Sequence, residues 1–575
     1  MTVDTPTGRK ALHLYHGDSE SWVARASEKR AECFEAIPKD WVLTPGIIES
    51  LEMPLEEHKN EIMALDIPRR SGILTERELQ ITEDYDVSAL LQKLATGAFT
   101  AAEVTLAFSK RAAIAQQLTN CLTETFFDQA MARAQELDSL MESGKLAGPL
   151  HGLPISLKDC FHVTGTQATL GLIAYLDKYS DTNACLVDML LSLGAVIYVK
   201  TNIPQTMMTA DSDNNVFGRV LNPWNTMLGA GGSSGGEGAL VAFRGSPLGV
   251  GTDIAGSIRI PALCCGTYGF KPTASRVPYG GQQSCSNRGL KFINACAGPL
   301  ANDINALEIF VKAVIDARPS KYDSTVIDVP WRALSSDPNR KLRLGVLAED
   351  PKFPLHPSIK KAIKEATERL EADGHHLIRL NAEDCQISST TKIAWDLFGF
   401  DKTASLLLSS AGEKPIRSQV QIAAQIQEVY SMGAQATAST ETEMDRLAAA
   451  NIKRSAAIEN WRKIWNLYEL DAVVGPAAQN TAVEHDMYGL PPYTVFLNVL
   501  DYPACVIPFG RADGSTEPQF DLQPGQGGAP YNPTLMQGAP LSIQVFTSGM
   551  RDEECLDISK VVDKSLNGTS RGMDY

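Results

Sequence analysis

The sequence predicts an α/β fold, one mixed β-sheet covered by helices. Three observations carry this expectation. Short apolar runs of strand length alternate with helix-period segments and glycine-rich loops between Pro149 and Thr273. The alternation returns more plainly from Leu342 onward. The composition, 44% hydrophobic and 21% charged over 575 residues, is that of a folded chain with a large core. Length permits several domains, or one oversized catalytic domain with appendages. There are 52 basic and 68 acidic residues, net −16, a field that repels phosphate backbones and anionic lipid. Nucleic acid is not expected as a partner. No apolar run reaches the ~18 residues of a membrane span; the longest, Leu186 to Val199, is interrupted by Asp188, Ser192 and Gly194.

Taken in order, residues 1–75 read as a helical N-terminal arm and 76–575 as the catalytic body. Met1 to Leu14 contains Asp4, Arg9 and Lys10 and lacks the apolar stretch of a secretory signal, so the expected location is the cytoplasm. From residue 18 the arm carries Trp22, Ala24, Ala26, Cys33 and Phe34 among charges until Pro45, Pro54 and Pro68 break the pattern. Leu90, Leu91 and Leu94 then recur at helical spacing and Gly97 stops that helix. Thr100 and Glu103 form a capping box for the next, whose inner face is Val104, Phe108 and Ala112. Strands are expected at Ile155–Leu157, Ala195–Val199 and Leu248–Gly251, then at Leu342–Leu347. A helix from Ser358 to Asp373 places Ile359, Ala362, Ile363, Ala366 and Leu370 on one face, with Gly374 as its stop. Further strands follow at Leu377–Leu380, Ala472–Val474, Cys505–Ile507 and Leu541–Phe546, and residues 513–540 read as a long surface loop or lid.

Eleven cysteines, an odd number without a CxxC pair, read as buried thiols; the adjacent Cys264 and Cys265 suit neither a metal clasp nor an easy bridge. Nine histidines include no HExxH and no second ligand at metal spacing. No metal and no cofactor is expected.

The chemistry concentrates in two glycine turns. The first is Gly231-Gly232-Ser233-Ser234-Gly235-Gly236-Glu237-Gly238, and the second runs from Gly251 through Thr252, Asp253, Ile254, Ala255, Gly256 and Ser257 to Arg259. Glycines let the backbone take positive φ and let substrate approach main-chain N–H groups, as a nucleophile and an oxyanion hole require. Alone, the first turn reads as a flexible linker or anion-binding loop as readily as a catalytic turn. The apolar Ala239–Phe243 and Leu248–Val250 that follow at once place it in a core. A serine nucleophile needs a base, and no histidine lies near either serine in a recognisable motif. Lys158 ends a strand on which Ile155 and Leu157 share one face and Ser156 and Lys158 the other, so Lys158 can point into the site.

Together the lysine strand, the serine-rich turn and the D-I-x-G-S-I-R segment resemble the amidase signature family of serine hydrolases, in the style of fungal acetamidase-type amidases. Lys158 and Ser233 are 75 residues apart and Ser233 and Ser257 24 apart, both typical of that family. Thr201-Asn202-Ile203-Pro204-Gln205 and Gly269-Phe270-Lys271-Pro272-Thr273 agree as well. The resemblance implies the amidase signature fold, a twisted mixed sheet with helices on both sides. It makes Ser257 the acylated nucleophile, Ser233 the bridging serine and Lys158 the base. It places the oxyanion hole on the backbone N–H groups of Ile254, Ala255, Gly256 and Ser257, and a cis peptide between Gly232 and Ser233. Ser234, Thr252, Asp253 and Arg259 become supporting groups, the last two as a buried pair, and Met207, Met208 and Gly232 line the substrate site. A free lysine titrates near ~10.4, so a base poised at about 7 to 8 must be depressed by burial, at about 4 kcal/mol.

One position departs from the family pattern. Ala255 stands where glycine is common, and its methyl is harmless only if φ there is negative. The expected activity is hydrolysis of a small aliphatic or aryl carboxamide to the acid and ammonia or an amine. Alternatives are a carbamate or ester hydrolase on the same site, the glutaminase subunit of a tRNA-dependent amidotransferase, and a non-catalytic binding relative. Relatives suggest a homodimer. Specificity is expected to lie in residues around 280–330, 390–440 and 480–540.

Overall fold

The computed structural model describes residues 21–334, 340–430 and 441–568; the segment Met1 to Leu14, read above for a targeting signal, lies outside them. Thirteen strands occur among the described residues: β1 Leu122–Thr125, β2 Pro154–Lys158, β3 Val196–Thr201, β4 Leu221–Asn222, β5 Asn225–Gly229, β6 Leu248–Asp253, β7 Tyr268–Lys271, β8 Cys296–Ala301, β9 Arg343–Val346, β10 His376–Arg379, β11 Ala472–Gly475, β12 Ala504–Arg511 and β13 Pro540–Phe546. Eleven form one mixed sheet in the order β1-β3-β2-β6-β8-β7-β12-β13-β11-β9-β10, and β4 and β5 pair apart from it. This is the expected α/β class.

Two parallel blocks are joined through an antiparallel centre. β2 runs parallel to β3 and β6, and β9 runs parallel to β10 and β11. Between them β6–β8, β7–β8, β7–β12, β12–β13 and β11–β13 are antiparallel. The first block matters for function. Thr201, Lys158 and Asp253 are the last residues of β3, β2 and β6, so three parallel carboxyl ends open on one side, where α/β sheets habitually place ligands.

The helices form where the pattern asks. Thr100 and Glu103 make both bonds of the capping box opening Ala101–Thr119. Helix Pro357–Ala372 buries Ile359, Ala362, Ala366 and Leu370, and Gly374, at φ +85°, ends it. Helix Ser21–Glu35 opens the described chain; beyond it Leu43, Ile47, Leu51, Leu55, Ile62 and Ile67 join the large core that also holds the sheet residues. Residues 513–540 contain one short helix, Pro533–Met536, and lay Phe520 and Tyr531 edge-on against His356. All the cysteines are free, and only Cys33 and Cys185 are less than buried. Among the described residues no helix is long and apolar enough to cross a membrane.

Candidate active site

Lys158 arrives at the site because β2 alternates. Ile155 and Leu157 pack into the core, while on the other face Ser156 Oγ donates to Glu237 Oε2 at 2.6 Å and Lys158 Nζ donates to Ser233 Oγ and Thr252 Oγ1, both at 2.8 Å. Lys158 is fully buried, 0% exposed. Burial pushes its ammonium down to about 8 against the opposing pull of nearby acidic groups, Asp253, Glu237 and Asp159 among them.

The two serine turns are stitched together. The Gly232–Ser233 peptide is cis. Ser234 N–H donates to the Ser257 carbonyl at 3.1 Å, and Ser234 Oγ lies 3.4 Å from both the N–H and the carbonyl of Thr252. A Cβ on Gly232 would collide with the Thr209 carbonyl, and one on Gly256, at φ +123°, with Thr494 Oγ1. Both turns therefore require glycine. Ala255 is not among the positive-φ residues, so its methyl is accommodated there without backbone strain.

Asp253 and Arg259 form a fully buried pair. Arg259 Nε and Nη2 each donate to the carboxylate at 3.1 Å, and Asn498 Nδ2 donates to it at 2.8 Å. Burial alone would raise this carboxyl, but Arg259 outweighs it and holds Asp253 well below the usual carboxylate range. Arg259 is anchored in turn on Gln544 Oε1, the Thr494 carbonyl and Asn498 Oδ1. The nucleophile turn is thus clamped to the distant half of the chain. Arg259→Leu strands a buried carboxylate and should destabilise the fold by about 3 to 5 kcal/mol, read as a lower denaturant midpoint; an unchanged midpoint would contradict the clamp. Because Asp253 is depressed, the wild-type contribution is present above about pH 4 and lost as pH falls below it.

The four N–H groups expected to serve an oxyanion are not equivalent. Gly256 N–H donates to Asp253 Oδ1 at 2.9 Å, so it is committed to the clamp. Among the described residues the N–H groups of Ile254, Ala255 and Ser257 make no such bond, which leaves these three able to donate to a bound group. Ser257 is 7% exposed, and its hydroxyl makes no hydrogen bond among the described residues; the Ser233–Ser257 link is open in this structure. Ser257, Gly232, Met207 and Met208 line a narrow cleft of about 340 Å³, mouth included, together with Ile260, Trp395, Ile422 and Pro491. Trp395 and Ile422 come from the 390–440 region and Pro491 from 480–540; the 280–330 region supplies none of its described lining. A larger cavity, about 1810 Å³ with its mouth included, between Tyr85, Trp224, Asp303 and Phe509 shares no residue with this cleft.

Sequence reasoning missed Asn498, Gln544, Trp395 and Ile422, which carry no local signature. It also passed over Glu237, whose carboxylate accepts from Ser156 and, at 2.9 Å, from Thr201 Oγ1 and is pushed up to about 7 by burial.

The site thus holds a buried lysine bonded to one serine, and a second serine lining the adjoining cleft; comparison with known proteins supplies the family. The Amidase family model matches residues 103–556. An amidase of Gibberella moniliformis is 39% identical over 554 residues, covering 95% of this chain and 99% of the relative. An acetamidase of Emericella nidulans is 36% identical over 564 residues, with 95% and 98% covered. A solved fatty acid amide hydrolase superposes with a TM-score of 0.86 at 29% identity, covering 96% of each chain. The chain belongs to the amidase signature family, hydrolases of amide C–N bonds.

Proposed function

We propose that this amidase cleaves small, uncharged carboxamides with apolar acyl groups through an acyl-enzyme on Ser257, relayed by Ser233 and Lys158. The observation that carries the reading is the 2.8 Å Lys158–Ser233 contact in a site that depresses the lysine to about 8. In the neutral amine, Ser233 donates its O–H to the Nζ lone pair while Nζ donates to Thr252. Substrate binding closes the Ser233–Ser257 contact, as catalytic hydrogen bonds commonly tighten in the Michaelis complex. Ser257 Oγ then attacks the carbonyl carbon, its proton passing to Ser233 and that of Ser233 to Lys158. The tetrahedral oxyanion is held by the N–H groups of Ile254, Ala255 and Ser257, at about 3 kcal/mol for a good donor. Lys158 returns the proton through Ser233 to the leaving nitrogen, the C–N bond breaks, and water resolves the ester by the same relay in reverse.

The cleft selects the acyl group. Its described lining includes no charged side chain, so the carboxylate and ammonium of glutamine would be desolvated there without partners. This argues against the glutaminase reading. Relatives named acetamidase fit a compact apolar site. The test is kcat/KM across acetamide, butyramide, benzamide and glutamine, with glutamine expected about 1,000-fold below the best amide; glutamine as the preferred substrate would overturn the reading. Trp395→Ala enlarges the cleft and should favour benzamide over acetamide by about tenfold relative to wild type. An unchanged ratio would remove Trp395 from the acyl wall.

A further inference from the structure

Two consecutive residues, the second of which lines the cleft, hold a backbone conformation that side chains disfavour. Thr206 has φ 64° and Met207 φ 61°. For a β-branched threonine this is an outlier that persists only where the surroundings enforce it. Thr206 N–H donates to the Leu170 carbonyl at 3.0 Å and the Thr206 carbonyl accepts from Cys285 Sγ at 3.2 Å, and a third set of contacts comes from the 413–419 segment. Gln419 Nε2 donates to both the Gln205 carbonyl and Thr206 Oγ1, each at 2.8 Å. Ile416 N–H donates to Gln205 Oε1 at 3.0 Å, and Gln205 Nε2 donates to Glu413 Oε1 and the Lys414 carbonyl. Glu413, itself buried, also accepts from Ile173 N–H at 2.8 Å and Asn215 Nδ2 at 3.1 Å.

Gln419 lies on helix Arg417–Tyr430, and three residues further along, on the same helical face, Ile422 lines the cleft. One helix therefore supplies an apolar wall through Ile422 and grips, through Gln419, the backbone that presents Met207. The separation of the two walls depends on that grip.

We propose that Gln419 is a positioning residue for specificity: by clamping the Gln205–Met207 turn it sets the width of the acyl cleft and restricts the enzyme to compact apolar acyl groups. The inference rests on the acyl-enzyme reading of the same cleft and adds the residue that sets its size. Without the clamp, Thr206 relaxes toward ordinary φ and Met207 moves with it, admitting longer chains.

The test uses the full-length enzyme and alkyl fluorophosphonates of graded length, ethyl through dodecyl. Their rates of covalent labelling at Ser257 read the cleft whichever amide is the substrate. In Gln419→Met the dodecyl-to-ethyl rate ratio should rise by about tenfold or more over wild type. Gln419→Glu keeps the size, loses the donor, carries the same expectation and serves if the methionine variant does not fold. Adding Thr206→Gly, which takes positive φ freely, should return the ratio to within about threefold of wild type, a rescue that general destabilisation would not give. A ratio unchanged within about twofold, equal losses at all lengths, or no rescue by glycine overturns the clamp. Wild-type enzyme that no probe labels at Ser257 overturns instead the acyl-enzyme reading beneath it.

Discussion

Replacing Ser257 by alanine should remove amide hydrolysis, with kcat/KM falling by about 10⁵-fold or more, the scale seen when a serine hydrolase loses its nucleophile. Labelling by fluorophosphonate disappears with it. The fold should be untouched, because the lost hydroxyl makes no hydrogen bond among the described residues and the backbone of the turn is held by Asp253, Ser234 and Thr494. An unchanged melting curve beside abolished turnover separates chemistry from stability. A variant that keeps more than about a hundredth of the wild-type rate would point to another nucleophile.

The second large effect is at Lys158. Lys158→Met keeps the bulk and deletes the amine, and the rate should fall by about 100- to 10,000-fold, the usual worth of a general base and acid. Its signature is in the pH profile. On the proposed relay the base works when neutral, and burial pushes Lys158 down to about 8, so wild-type kcat/KM should rise tenfold per pH unit below about 8 and level above it. Lys158→Met should lose that limb. Stability moves the other way. Folding lowers the pKa of this lysine, so between about pH 8 and 10.4 the folded chain binds fewer protons than the unfolded one and stability rises with pH. Below that window the burial cost is present in full, so wild-type stability should rise by about 3 kcal/mol across it, a slope that Lys158→Met should lose. A methionine variant that keeps the limb would place the base elsewhere.

The parts of this architecture legible in the sequence are those whose cause is local. The capping box at Thr100 and Glu103, the stop at Gly374 and the alternation that turns Lys158 away from the core depend on neighbours within a few residues. β8 was not foreseen: it reads Cys-Ala-Gly-Pro-Leu-Ala, and a proline argues against a central strand. It is tolerated because pairing with β7 ends at Leu300, leaving Pro299 opposite Val250 of β6 alone. The candidate site divides the same way. Its serines and lysine announce themselves through glycine turns and strand register. By contrast Asn498, Gln544, Trp395, Ile422 and Gln419 are ordinary residues in ordinary helices and strands, given meaning by partners far off in the chain; Gln419 and Thr206, or Arg259 and Asn498, are more than 200 residues apart. The commitment of Gly256 N–H to Asp253 was hidden for a different reason: four successive N–H groups in a turn are equivalent until the carboxylate that claims one of them has a position.

The account as a whole depends on which hydroxyl becomes acylated. Wild-type enzyme trapped with an activated fluorophosphonate, digested and mapped by mass spectrometry, should carry one adduct per chain on the peptide bearing Ser257, with the Ser233 peptide unmodified. An adduct on Ser233, or on neither serine, would contradict the relay in which Lys158 acts on one alcohol through the other.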